Sequence, residues 1–126
     1  MRKRFLVVST IFFVFTTLFL EVSLTKYYPK ILSLNNDGQN EILFIRYKND
    51  EGKKIKLKIY DVNNVNLFET ITHGSTNEYS EGDEYVYKCY LGEIFGKEKL
   101  LPGLYIFILT ADEQQIIGKG VLVVIR

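Results

Sequence analysis

A chain of 126 residues holds one domain and, besides it, room only for a tail or a targeting segment. A content of 47% hydrophobic and 25% charged residues excludes global disorder, and a formal net charge of +1 leaves no electrostatic footprint for a nucleic acid. Nine Tyr and nine Phe against a single Ala favour strands over helices. The one cysteine, Cys89, has no partner for an intramolecular disulfide, so core burial must hold the domain together, and Cys89 itself reads as a small apolar filler.

The positive excess sits at the front, in Arg2, Lys3, Arg4 and Lys26; residues 27–126 carry 12 basic and 14 acidic side chains. Arg2-Lys3-Arg4 precedes an uncharged apolar run from Phe5 to Leu20, and Glu21 ends it. A helix of that length reaches about 24 Å, short of a hydrocarbon core of roughly 30 Å. Residues 1–26 therefore read as an apolar helix that is either a cleaved export signal, with Ser23 and Thr25 as the small residues near a cleavage point, or a retained anchor. Contact with a membrane is expected only through residues 5–20, if they remain.

The domain expected over residues 27–126 is a succession of short strands. Residues 27–34 read as an edge strand because Pro29 lacks the N–H a central ladder needs. Ile42 to Tyr47 follows a run of turn-formers. From Lys54 to Tyr60 the chain alternates cleanly, with Ile55, Leu57 and Ile59 on one face and three lysines and Tyr60 on the other. Val65 to Thr72 and Glu84 to Leu91 are further strands, separated by a polar connection over 73–83. Residues 92–101 read as a loop. The run Leu104 to Leu109, launched by Pro102-Gly103, reads as the central strand, buried on both faces. Ile116 to Ile125 closes the chain, with Gly118 and Gly120 marking a bulge or a close backbone approach. About seven strands with turn signals every 8–12 residues predict an all-β fold, an immunoglobulin-like antiparallel β-sandwich.

Few residues suggest chemistry. Asn35, Asp37 and Glu41 could stand at three positions of a calcium loop, but its usual first carboxylate and its bidentate Glu are missing, so a plain turn is expected and no metal or cofactor. His73 is the only histidine. A triad drawn from His73, Ser75 or Ser80, and Asp83 would lie in one polar loop without a rigid support. Glu78, Glu81, Asp83 and Glu84 form an acidic cluster that reads as solvated. No enzyme is expected. Of the aromatics at Tyr85, Tyr87, Tyr90, Tyr105 and Phe107, one strand parity fills the core, and the other leaves tyrosines for protein contacts. The connections 73–83 and 92–101 are expected at one end of the sandwich, with Asn77, Tyr79, Tyr90 and Phe95 as candidate partner-binding residues.

Several of these residues carry a resemblance. Asp37-Gly38-x-Asn40-Glu41, Leu57-Lys58-Ile59-Tyr60-Asp61, Tyr90-Leu91-Gly92, Pro102-Gly103-Leu104-Tyr105 and Gly120-Val121-Leu122-Val123-Val124 recur in an order similar to the Ig-like domain of flagellar hook-capping (FlgD-type) proteins, over roughly residues 29–126. That resemblance implies a non-catalytic exported module, structural or protein-binding, in the periplasm or at the bacterial cell surface. The Ile59-Tyr60-Asp61 and Pro102-Gly103-Leu104-Tyr105 motifs also resemble the sorting domain of type IX secretion cargo, which implies instead a secretion or surface-attachment signal. One fold-sized core, no catalytic constellation and an export signal together lead us to expect a protein partner at the cell envelope. A small hydrolase is the remaining alternative.

Overall fold

The computed structural model describes residues 20–33, 41–95 and 101–125. In chain order these form β1 (Val22–Tyr28), β2 (Ile31–Ser33), β3 (Ile42–Asn49), β4 (Ile55–Asp61), β5 (Asn66–Ile71), β6 (Glu78–Glu81), β7 (Glu84–Tyr90), the short helix α1 (Leu91–Phe95), β8 (Gly103–Ala111) and β9 (Gln115–Ile125). The strands make two sheets, one ordered β1-β3-β7-β6 and the other β2-β9-β8-β4-β5. Their inner faces meet in one core, so the all-β sandwich is as the strand pattern predicts.

The alternation rule places the side chains. Leu43, Ile45 and Tyr47 of β3 point inward, as do Tyr87 and Cys89 of β7. From the other sheet come Ile55, Leu57 and Ile59 of β4, Tyr105, Phe107 and Leu109 of β8, and Leu122 and Val124 of β9. Burial pushes the Cys89 thiol up to about 12, which keeps it neutral and inert. The Tyr105 hydroxyl donates to the Leu101 carbonyl at 2.6 Å and pins the turn that launches β8.

The two glycines of β9 have the role their positions suggest. A Cβ on Gly120 would stand 2.5 Å from Phe107 Cε1 and 2.6 Å from Tyr27 Cε1, and one on Gly118 would drive into the Leu24 side chain. The bare backbone lets β1 lie close over β9 and seal one flank of the sandwich. There the Tyr27 ring meets Phe107 edge-on at 4.9 Å, and its hydroxyl accepts from the Val121 N–H at 3.3 Å. A bulge interrupts the β8–β9 register between Leu109 and Thr110, next to Gly118.

Five expectations need correction. The strand expected over 27–34 is two strands in different sheets, parted at Pro29: β1 joins β3, and β2 joins β9. Proline donates no ladder hydrogen bond, and the chain changes sheets where the ladder stops. The sandwich is not wholly antiparallel, because β2 runs parallel to β9. Nine strands are described rather than about seven, the polar connection 73–83 contributing β6 and the front of the chain contributing β1. The stretch 92–101, read as a loop, includes most of α1. Finally β8 is indeed the middle strand of its sheet, but it is buried on one face only: Leu104 is 52% exposed, and Ile106 and Ile108 are half-buried.

The apolar helix expected over residues 5–20 falls almost wholly outside the described residues, among which no helix is long and apolar enough to cross a membrane. The described chain is already in register at Val22, which pairs with Asn49. The Asp50 N–H donates to the Glu21 carbonyl at 3.0 Å, and the Glu21 N–H donates to Asp50 Oδ2 at 2.9 Å. Strand structure thus begins inside the stretch read as leader.

Candidate recognition surfaces

The outer face of the four-stranded sheet carries the side chains of opposite parity to the core: Ile42, Phe44, Arg46 and Lys48 on β3, and Glu84, Val86, Lys88 and Tyr90 on β7. Ion pairs cross it. Arg46 lies 2.9 Å from Glu81 and 3.5 Å from Glu84, and Lys48 lies 3.5 Å from both Glu21 and Asp83. The hydrogen bond that Arg46 donates to Glu81 above all raises the Arg46 pKa, and the charges of Asp83 and then Glu21 raise that of Lys48. Aromatic rings fill the remainder: Tyr28 stacks on Phe44 at 5.1 Å, Lys26 sits over Tyr28, and Lys88 sits over Tyr79.

The candidate partner-binding residues distribute unevenly over this surface. Tyr79 and Tyr90 share the outer face, Tyr79 exposed opposite Val86, and Tyr90 half-buried opposite Ile42. Asn77 is used internally, its carbonyl accepting from the Lys88 N–H at 3.0 Å. Phe95 ends α1, and its side chain lies outside the described residues. The connection 73–83 runs alongside β7, with Asn77 beside Lys88 toward the α1 end. Its Gly82-Asp83 turn precedes β7, whereas α1 follows it, so the two stand at opposite ends of that strand.

The acidic cluster disperses in the same way. Glu81 and Glu84 flank Arg46, and Asp83 faces Lys48, while Glu78 turns inward. There Glu78 accepts from the Tyr47 hydroxyl and, at 3.1 Å, from the Gly74 N–H, with His73 Nδ1 3.2 Å away. Thr72 Oγ1 donates to the Tyr47 hydroxyl at 3.3 Å. Burial raises the Glu78 pKa, since a desolvated carboxylate prefers to be neutral. His73 thus faces a carboxylate rather than a serine, while Ser75 Oγ donates to the Thr72 carbonyl. Of the calcium candidates, Asn35 and Asp37 lie outside the described residues; Glu41 is half-buried, with one carboxylate oxygen lacking a hydrogen-bond partner among them. No described group of three or more His, Cys, Asp or Glu is arranged to hold a metal ion.

The outer face of the five-stranded sheet was not singled out by sequence reasoning. Seven of the eight exposed large apolar side chains on described strands belong to this sheet, the eighth being Tyr79. A solvated antiparallel face should alternate polar residues outward, yet the middle strand presents Leu104, Ile106 and Ile108 there. The signal lies in the sequence: residues 104–109 are apolar at both parities, a pattern that predicts burial on two faces. At one side of this face, Lys56 lies 2.7 Å from Glu113 and Lys54 lies 3.2 Å from it. These two lysines hold the Glu113 carboxyl down at about 2, with the hydrogen bond from Lys56 as the largest cause.

Comparison with known families bears on the whole described sandwich. The CHU_C type IX secretion signal domain model matches residues 26–124, from within β1 almost to the end of β9. No curated protein is similar enough to the chain to count as a relative. The match overturns the hook-capping resemblance and supports the sorting-domain alternative: the motifs at 59–61 and 102–105 that the two readings shared belong to the secretion signal. A domain of this kind marks an exported protein, released or held at the surface. The chain belongs to the type IX secretion signal domain family.

Proposed function

We propose that the sandwich is itself the sorting signal, acting by binding a protein of the type IX apparatus and carrying out no chemistry of its own. The observation that carries this reading is the extent of the family match, which runs from β1 to β9 and so takes in the folded unit rather than a tail appended to it. Residues 20–126 joined behind an unrelated exported reporter should deliver that reporter to the surface or the medium of a bacterium that has the apparatus. They should fail to do so in a mutant lacking it. Delivery that is equal in both strains would refute the reading.

The front of the chain fits a first export step across the inner membrane, which any sorting signal read at the envelope requires. We assign that step to the basic and apolar residues before Glu21. Ser23 and Thr25 are then poor cleavage points. Cutting after either would remove part of β1, including in the latter case Leu24, which packs over Gly118. The mass of the exported product should therefore show a chain that still contains Val22, either cut ahead of it or uncut. A mature chain beginning at Leu24 or Lys26 would contradict this assignment.

A further inference from the structure

The outer face of the five-stranded sheet is built to be covered. Across its middle the register sets Lys58 of β4 opposite Ile108 of β8, and Ile108 opposite Lys119 of β9. The next row sets Tyr60, Ile106 and Val121 side by side, and beyond it Leu104 lies opposite Val123. Aliphatic side chains thus form a contiguous field, with Leu104 and Val121 each about half exposed, at 52% and 50%. Isolated apolar residues on a surface need no explanation, but a contiguous field rimmed by charge marks an interaction site.

The charges at the rim say what kind of surface would cover it. Lys54 and Lys56 are occupied by Glu113, and Glu69 lies 3.9 Å from Lys56. Lys58 and Lys119 have no acidic partner among the described residues, although Glu69 stands opposite Lys58 in register. Two unpaired cations on either side of Ile108 complement carboxylates. The field itself is made of Leu, Ile and Val, with Tyr60 as its one aromatic residue. A membrane interface favours Trp and Tyr, whereas an aliphatic field with charges at its edge has the apolar centre and polar rim of a protein contact.

We propose that this face is where the export apparatus grips the domain, through a protein surface that presents aliphatic side chains to Ile106, Ile108 and Val121 and carboxylates to Lys58 and Lys119. The inference rests on the sorting reading and deepens it by naming the surface and the chemistry of the partner. The face of the four-stranded sheet, where Arg46 and Lys48 are held by carboxylates and Lys26 and Lys88 lie over tyrosine rings, takes no part.

The test uses the full chain with an epitope tag, expressed in a bacterium that has the type IX apparatus, and reads the tag on intact cells and in the medium. Val121→Lys places a charge in the aliphatic field, and the pair Lys58→Glu with Lys119→Glu reverses both rim cations. Each substitution is at a solvent-facing position, so the melting temperature of the purified chain should match the wild type. Delivery should fall at least tenfold for either variant and by an intermediate amount for Lys58→Gln with Lys119→Gln. Tyr79→Lys, on the other sheet, should stay within twofold. If the wild type is delivered and both face variants are delivered equally well, this inference is wrong and the sorting reading stands. If the wild type is not delivered, both fall. A purified dimer that Val121→Lys dissolves, or binding to phosphatidylglycerol vesicles that the charge reversal abolishes, with delivery unchanged in each case, would assign the face to a second copy or to lipid and overturn the proposal.

Discussion

The two sheets share a core but differ outside it. The outer face of the four-stranded sheet is complete in itself: Arg46 and Lys48 are each held between carboxylates, and Tyr28, Phe44 and Tyr79 are covered by stacking or by lysines. The outer face of the five-stranded sheet leaves aliphatic side chains exposed and two lysines, Lys58 and Lys119, without an acidic partner among the described residues. The core needs both sheets equally, so packing does not account for the difference. A surface whose cations are held by carboxylates or seated on aromatic rings has less electrostatic complementarity left to offer a partner than a face left apolar and positive.

The largest expected effect separates the two sides of a single strand. Phe107 and Ile108 are neighbours on β8, one fully buried between the sheets and the other facing out. Phe107→Ala should cost about 3–5 kcal/mol through the cavity it opens. Ile108→Ala, with solvent on its outer side, should cost less than about 1.5 kcal/mol. Denaturant titrations of the two variants compare them directly. Equal losses would mean that the outer face is packed like a core, and the contrast between the sheets would break down.

Next in size is the seal between the sheets. Gly120→Ala puts a methyl group against Phe107 and Tyr27, both aromatic rings anchored in or over the core, so the strands must part to admit it. Overpacking of this kind costs about 1–3 kcal/mol. A variant as stable as the wild type would show that β1 lies further from β9 than the structure has it.

These two predictions also show what the sequence made legible. Ile55, Leu57 and Ile59 declared their face by alternation, and Gly118 and Gly120 declared a close approach, because both signals are local and a strand preserves them. The change of sheet at Pro29 and the parallel β2–β9 pair were not legible. Three residues of β2 carry no period that could reveal a partner almost a hundred positions away. The exposure of the outer face was not legible for a different reason. The pattern of residues 104–109 says that both faces of the strand avoid water, and a sequence cannot tell a second layer of its own fold from a layer that another molecule supplies.

A smaller effect tests the polar interior at the edge of the four-stranded sheet. Glu78 is buried with its pKa raised by desolvation, so it binds protons more tightly folded than unfolded. Its contribution to stability is therefore fully present below the ordinary glutamate value and is lost as pH rises through the raised one. Glu78→Gln should flatten that fall while keeping the Gly74 N–H bonded. Tyr47→Phe should cost about 1–2 kcal/mol by removing a donor from the buried carboxylate. Calorimetric melting temperatures between pH 4 and 8 measure both, and a wild-type curve that already matches Glu78→Gln across that range would rule out the desolvation argument.

The smallest effect distinguishes the occupied lysines of the five-stranded sheet from the unoccupied ones. Glu113 has its pKa lowered to about 2 by Lys56 and Lys54, from an ordinary 4.5. A lowered carboxyl stabilises the fold above its ordinary value, and that stabilisation is lost as pH falls through about 2. The groups are solvent-exposed, so salt screens the effect and the change should be modest. Lys56→Gln should lift the Glu113 pKa and move the loss of stability toward the ordinary value, visible as a shallower acid limb in melting curves at low ionic strength. Lys58→Gln, two residues further along the same face of β4, should leave that limb where it is, because Lys58 has no carboxylate partner among the described residues to release. If both substitutions move the acid limb alike, Lys58 shares the network around Glu113. It would then be no freer to meet a partner than Arg46 on the opposite sheet.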